Sequence, residues 1–220
     1  MTAADAHLPS PTGAGHRPSR WILTALDGVK PDGHVLDVAC GAGRHARAAL
    51  TRGLRVTGID IDAAGTADLI GQAGFTFIAA DLETGAAFPL AGQRFDAVVV
   101  SNYLHRPLMS ALTAAVASDG VLVYETFANG QERRGRPANP AFLLRPNELA
   151  EAAIAGGLVI VACEQGVVGD AATGPIVQRI IAVGRAHPWA SGAPRLIEAA
   201  QGEGGRADAP PLVARSNRPT

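Results

Sequence analysis

The chain has 220 residues, of which 47% are apolar and 18% charged, with a formal net charge of -1. This suits one globular, soluble domain with a full core, and it gives no general electrostatic case for nucleic acid, whose binders carry a basic face. The two cysteines, Cys40 and Cys163, are too few for a disulfide framework, and no run reaches the ~20 apolar residues needed to span a bilayer. Met1 to Pro18 is polar and rich in Pro and Gly, unlike a secretory signal, so a cytoplasmic protein is expected.

Residues 1–18 read as a flexible arm. Ser19 is placed to cap a short helix through Trp21, Leu23 and Leu26. Gly33 opens a first strand that ends near Asp37, and a helix over Arg44 to Arg52 stops at Gly53. Leu54 to Ile59 forms a second strand, and Asp62 caps a helix up to Gly71. Phe75 to Ala80 and Phe95 to Val100 are strands three and four, the latter apolar enough to be covered on both faces. Pro107 starts a helix that turns Leu108, Leu112 and Val116 inward, and Val121 to Thr126 is strand five. Residues 128–145, with arginines at 133, 134, 136 and 145, read as an excursion or lid. Pro146 begins a helix that ends at Gly156-Gly157. Leu158 to Val168 and Ile176 to Val183 are two last strands, and residues 186–220 read as a disordered tail. Alternation of strands and helices predicts an α/β, doubly wound, Rossmann-like sheet of seven mostly parallel strands. The final pair has no crossover helix between its members, so it must form an antiparallel β-hairpin.

The segment VLDVACGAGRHA, Val35 to Ala46, joins a strand to a helix through Gly41 and Gly43. Two glycines let the backbone approach a ligand closely, and the helix start offers free N–H groups, as at a nucleotide site. Gly41-Ala42-Gly43-Arg44-His45-Ala46 also fits the dinucleotide fingerprint, with Asp60 about 20 residues on. Three features argue against a nicotinamide dinucleotide. Asp37 sits where a pyrophosphate would lie and repels it, a third acid follows strand three at Asp81, and the sheet ends in the hairpin.

Asp37 to Gly43, Gly58-Ile59-Asp60, Ala80-Asp81-Leu82, Phe95 to Val100 and Ser118 to Leu122 succeed one another in an order that resembles the class I S-adenosylmethionine-dependent methyltransferases over roughly residues 19–185. The one-domain layout is most similar to the small-molecule enzymes of the tellurite-resistance group. Ala39 stands where the family's first glycine is usual. The resemblance implies S-adenosyl-L-methionine as cofactor and assigns its contacts. Asp37 faces the methionine ammonium, Ala39, Gly41 and Gly43 form the bend, and Asp60 with Ile61 meets the ribose side. Asp81 and Leu82 meet the adenine, Ser101 and Asn102 the methionine portion, and Arg20 the methionine carboxylate. Bland readings stand beside these: Asp81 as a turn acid, Arg20 as a solvated helix residue, Cys40 as a small buried turn residue, and His34 and His45 as surface groups. The six histidines do not cluster at ligand spacing, so no metal is expected.

Two segments should face the reacting methyl: Ser101 to Arg106 after strand four, and Glu125-Thr126-Phe127 after strand five. His105 has the pKa range of a general base, Glu125 is suited to accept a proton or hold a polar acceptor, and Tyr103 to flank the methyl. His105 as a helix cap and Tyr103 as packing are the alternatives. Arginines 133, 134, 136 and 145, where they converge, suit an anionic acceptor; otherwise they are a solvated face. The expected function is methyl transfer to a small molecule, an anionic one where those arginines converge. An RNA methyltransferase using residues 131–145 and a non-catalytic cofactor-binding protein are the other readings. The absence of an Asn-Pro-Pro-Tyr-like motif after strand four argues against DNA adenine substrates.

Overall fold

The computed structural model describes residues 17–192. The expected arm and tail therefore lie mostly outside the described residues. Seven strands form one sheet: β1 (His34–Val38), β2 (Arg55–Asp60), β3 (Phe75–Ala79), β4 (Phe95–Ser101), β5 (Val116–Phe127), β6 (Val159–Val167) and β7 (Ile176–Val183). Their spatial order is β3-β2-β1-β4-β5-β7-β6. β1 to β5 pair in parallel, and β7 pairs antiparallel with both β5 and β6, which gives the expected hairpin at one end of the sheet.

Two apolar layers sandwich the sheet. On one face α1 (Arg20–Leu26) and α2 (Arg44–Thr51) bury Trp21, Ile22, Ala46 and Ala49 against Val35, Val99, Val123 and Ile181. On the other, α3 (Met109–Ala114) and α4 (Glu148–Ala155) bury Leu112, Leu149 and Ala153 against Leu36, Val98, Leu122 and Ile180. Alternate residues of β4 feed the two layers, which is why its apolar run is unbroken.

Four expectations need correction. Residues 61–74 form no α-helix, only a single 3-10 turn at Ala64–Thr66. Gly65 is the reason: a side chain there would stand 2.5 Å from the Gly41 carbonyl, so this segment folds flat onto the glycine bend. Gly65 and Gly71 also lower helix propensity across so short a stretch. Second, α3 ends at Ala114 and Val116 already belongs to β5, which runs to Phe127. Third, α4 starts at Glu148 rather than at Pro146. Fourth, the chain stays packed beyond Arg185: His187 is buried with Nε2 2.9 Å from the Gly28 carbonyl, and Trp189 lies against Gly28, where any side chain would strike its ring.

Candidate active site

The carboxyl ends of β1, β2, β3 and β4 converge on the bend Ala39 to Gly43. The backbone there is left-handed at Ala39 (φ 50°), Gly41 (φ 51°) and Gly43 (φ 68°). Glycine takes this conformation freely, whereas Ala39 does so at a steric cost of roughly 1–2 kcal/mol. The bend is held by Asp60, a buried carboxylate at the end of β2. Its Oδ2 accepts the Gly41 N–H at 2.7 Å and its Oδ1 the Ile61 N–H at 2.7 Å. Arg47 braces the same bend from α2, donating to the carbonyls of Ala42 and Gly65 and to Asp68.

Asp37, at 2% exposure, lies behind the bend. It accepts the Ala46 N–H in the first turn of α2, a cap that Gly43, the residue at the helix start, has no side chain to supply. Its other oxygen, Oδ2, is buried without a partner. Burial pushes this carboxyl up to about 7, against the opposing effect of the Ala46 N–H and Arg44. The second buried side-chain atom without a partner among the described residues is the Tyr103 hydroxyl. Burial and the nearby carboxylates of Glu83, Asp81 and Asp60 push that phenol upward.

The remaining expected residues fall as follows. Ile61 is 60% exposed beside Asp60, and Leu82 is half-buried against the core. Asp81 is exposed, and its Oδ1 accepts the Glu83 N–H at 2.9 Å, a turn acid at the tip of β3. The Ser101 hydroxyl takes an Arg44 Nη2 hydrogen bond at 2.8 Å. Asn102 is exposed with φ 55°, a strained position of the kind that clusters at ligand sites. His105 starts the 3-10 turn Arg106–Leu108, but its side chain makes no cap hydrogen bond. Arg20 is exposed at the first position of α1, one residue after Ser19, whose N–H reaches His45 Nε2 at 3.2 Å.

His45 is not at the surface. It is 5% exposed, accepts from Ser19 and Arg44 through Nε2, and burial followed by the Arg44 charge lowers it to about 3. His34 is half-buried rather than exposed, bonded to Thr57 at 2.8 Å. Cys40 is a buried turn residue whose thiol burial pushes up, far from a thiolate. Arg44 and Arg47 escaped the sequence reading, although their place in the first turns after a glycine bend could have flagged them.

The segment after β5 is a fixed wall rather than a converging basic face. Arg106 bonds both Glu148 oxygens, at 2.6 and 3.0 Å, and the carbonyls of Ala141 and Leu143. Arg134 holds the carbonyls of Ala171, Ala172 and Gly174, and Arg145 pairs with Glu148. Among the described residues Arg133 pairs with Glu132, at 3.9 Å. Among the described residues no helix is long and apolar enough to cross a membrane, and no group of three His, Cys, Asp or Glu could hold a metal.

Comparison with known proteins adds to this geometry. A family model described as a methyltransferase domain matches residues 35–118. No curated protein matches the chain. Among solved structures, an S-adenosylmethionine-dependent methyltransferase from Mesorhizobium loti is 20% identical with a TM-score of 0.55, over 72% of this chain and 95% of that one. The 1,6-didemethyltoxoflavin-N1-methyltransferase of Burkholderia thailandensis, solved with S-adenosylhomocysteine, is 25% identical with a TM-score of 0.56, over 77% of each. TehB from Haemophilus influenzae is 17% identical with a TM-score of 0.58, over 74% of this chain and 60% of that one. With the domain model lying across the glycine bend and the sheet shared with these enzymes, the chain is similar to the class I S-adenosylmethionine-dependent methyltransferases, a likeness that supports S-adenosyl-L-methionine as the cofactor.

Proposed function

We propose that the enzyme methylates a small molecule, and that the cofactor lies across the bend from Asp37 to Asp81. The observation that carries this is the pair of buried orphan atoms. Asp37 Oδ2, behind the bend, lacks the partner that a buried polar atom requires, and the buried Tyr103 hydroxyl, near the carboxylates of Glu83, Asp81 and Asp60, has no well-formed hydrogen bond. A cationic amino acid head suits the first, and an oxygen or nitrogen acceptor on a nucleoside suits the second. Asp60 keeps lone pairs beyond those used by Gly41 and Ile61, which suits ribose hydroxyls, while exposed Ile61 and half-buried Leu82 offer apolar faces for a base. Gly41, Gly43 and Ala39 supply close backbone, Ser101, Asn102 and Arg20 stand at the methionine end, and Asp81 at the adenine end.

The cofactor supplies an already activated methyl, so the protein's main work is alignment. His105 and Glu125 are the groups placed after β4 and on β5 to take a proton from the acceptor, and Tyr103 to flank it. The toxoflavin-type substrate of the Burkholderia neighbour supports a small acceptor. Anionic character draws no support from the loop arginines, and neither does RNA binding, since Arg134 and Arg145 are engaged within the fold. The two free cysteines suit a reducing compartment, and we place the enzyme in the cytoplasm.

Calorimetric titration with S-adenosylhomocysteine and with NADH tests the cofactor site. Only the first should bind, and Asp60→Ala should weaken it by about 1.5–3 kcal/mol, the scale of lost charge-assisted hydrogen bonds. Tight NADH binding, or an unchanged dissociation constant in the variant, would remove Asp60 and the bend from the cofactor.

A further inference from the structure

The side chain of His45 joins two helices and a strand. It projects from the first turn of α2 and is 5% exposed. Its Nε2 accepts the backbone N–H of Ser19, the residue before α1, at 3.2 Å. The same atom accepts the Nε–H of Arg44, the first residue of α2, also at 3.2 Å. Both partners are donors, so Nε2 carries no proton and the ring is neutral, with its hydrogen on Nδ1. Arg44 also donates through Nη2 to the Ser101 hydroxyl at 2.8 Å, at the end of β4. The start of α1, the start of α2 and the carboxyl end of β4 thus meet through one imidazole and one guanidinium.

This junction stands at the methionine end of the proposed cofactor site. Arg44 is close enough to Asp37 for its charge to act on that carboxyl and lower it against burial. A methionine head carries an ammonium and a carboxylate, and a carboxylate beside a guanidinium matches that pair. An arginine side chain carries about 2 kcal/mol of rotamer entropy, and a site that fixes its fork beforehand removes that cost from binding. An imidazole suits the task, because it accepts a hydrogen bond without adding a negative charge beside the cation. Burial, and then the Arg44 charge, lower His45 to about 3, so the acceptor persists through the neutral range.

We propose that His45 is the positioning residue of this end of the site. Its Nε2 sets the Arg44 guanidinium against Ser101, in place to receive the cofactor's carboxylate, and fixes the start of α1 at the same point. The proposal rests on the methyltransferase reading and adds Arg44 to the contacts of that site. His45 acts through Arg44, so its effect is confined to ligands that carry an amino acid head.

Two ligands, titrated by calorimetry, separate positioning from mere structure: S-adenosylhomocysteine, which carries the amino acid head, and methylthioadenosine, which lacks it. His45→Phe keeps the bulk and loses the acceptor. It should weaken S-adenosylhomocysteine by about tenfold and methylthioadenosine by less than about twofold. His45→Gln, whose amide oxygen reaches the Nε2 position, should restore most of that affinity. Arg44→Gln should show the same selective loss, and adding His45→Phe to it should weaken binding no further. Circular dichroism checks each fold; if His45→Phe does not fold, His45→Asn, too short to reach either donor, takes its place with the same expectation. Equal weakening of both ligands, unchanged affinity, no gain from glutamine, or independent losses in the double variant would each overturn the proposal. Failure of the parent protein to bind either ligand would instead strike the methyltransferase reading, so the two can be told apart.

Discussion

The two halves of the sheet hold their acids in opposite ways. In the β1-β2-β3 half, the carboxylates of Asp37, Asp60 and Asp81 are held by backbone N–H groups, from Ala46, Gly41 with Ile61, and Glu83. In the β5-β7-β6 half, Glu125, Glu164 and Glu148 are held by guanidinium groups, those of Arg179 and Arg106. Backbone donors fix an acid without neutralising it, so its charge and spare lone pairs stay available for the cationic nucleoside we propose there. Guanidinium pairs neutralise an acid and tie distant segments together. The first half leaves its acids unpaired with cations, as the proposed cofactor site requires; much of the second holds its own wall in place.

The sharpest way to break this contrast is to remove Arg106. Glu148 would be left buried with only the exposed Arg145 as its cation, so Arg106→Ala should lose about 2–4 kcal/mol in chemical denaturation, with S-adenosylhomocysteine affinity of the folded protein unchanged. Burial would raise the Glu148 carboxyl, but the Arg106 hydrogen bonds outweigh it and hold the carboxyl low. A parallel loss of cofactor affinity would mean that the wall and the cofactor site are one unit.

Asp37 offers a pH test of the first half. Its carboxyl is raised to about 7 in the folded protein, so the fold binds this proton more tightly than the unfolded chain does. Its contribution therefore favours folding below the ordinary carboxylate range and is lost as pH rises towards about 7. In the proposed contact the cofactor's ammonium meets the ionised form, so affinity for S-adenosylhomocysteine should rise between pH 6 and 8 in titrations, by up to about tenfold. Asp37→Asn should flatten that profile. A profile equally steep in the variant would assign it to another group.

Ala39 sharpens the comparison further. Ala39→Gly removes the strain at φ 50° and should raise stability by about 1 kcal/mol in thermal or denaturant melts, without weakening the cofactor. Destabilisation would show that the alanine methyl packs better than its backbone suffers. The smallest effect should come from Arg133→Ala. Its side chain is 80% exposed, so stability and turnover should stay within about 0.5 kcal/mol of the parent. A large loss of turnover would restore the arginine-bearing segment as an acceptor site.

Much of the β1-β2-β3 half was legible in the sequence because its interactions are local. A strand, a glycine bend and a helix start lie within Val35 to Ala46, and the acids at Asp60 and Asp81 each follow an apolar run. The antiparallel ending was legible too, since a short connection cannot carry a parallel crossover. What failed did so through contacts that no local pattern records. Asp62 to Gly71 carries a helical pattern that Gly65, lying on the Gly41 carbonyl, overrides, and His45 is buried because Ser19, the residue before α1, packs onto it from a distant part of the chain.

The order of residues alone determined the alternation of strands and the glycine bend, because backbone conformation and short-range hydrogen bonding act over a few neighbours. Only the tertiary structure decided which face each acid occupies, that Arg106 and Arg134 are structural ties, and that Glu125, Arg179 and Glu164 stand in one row. Register between strands far apart in the chain sets those relations, and register is fixed by how the whole core packs.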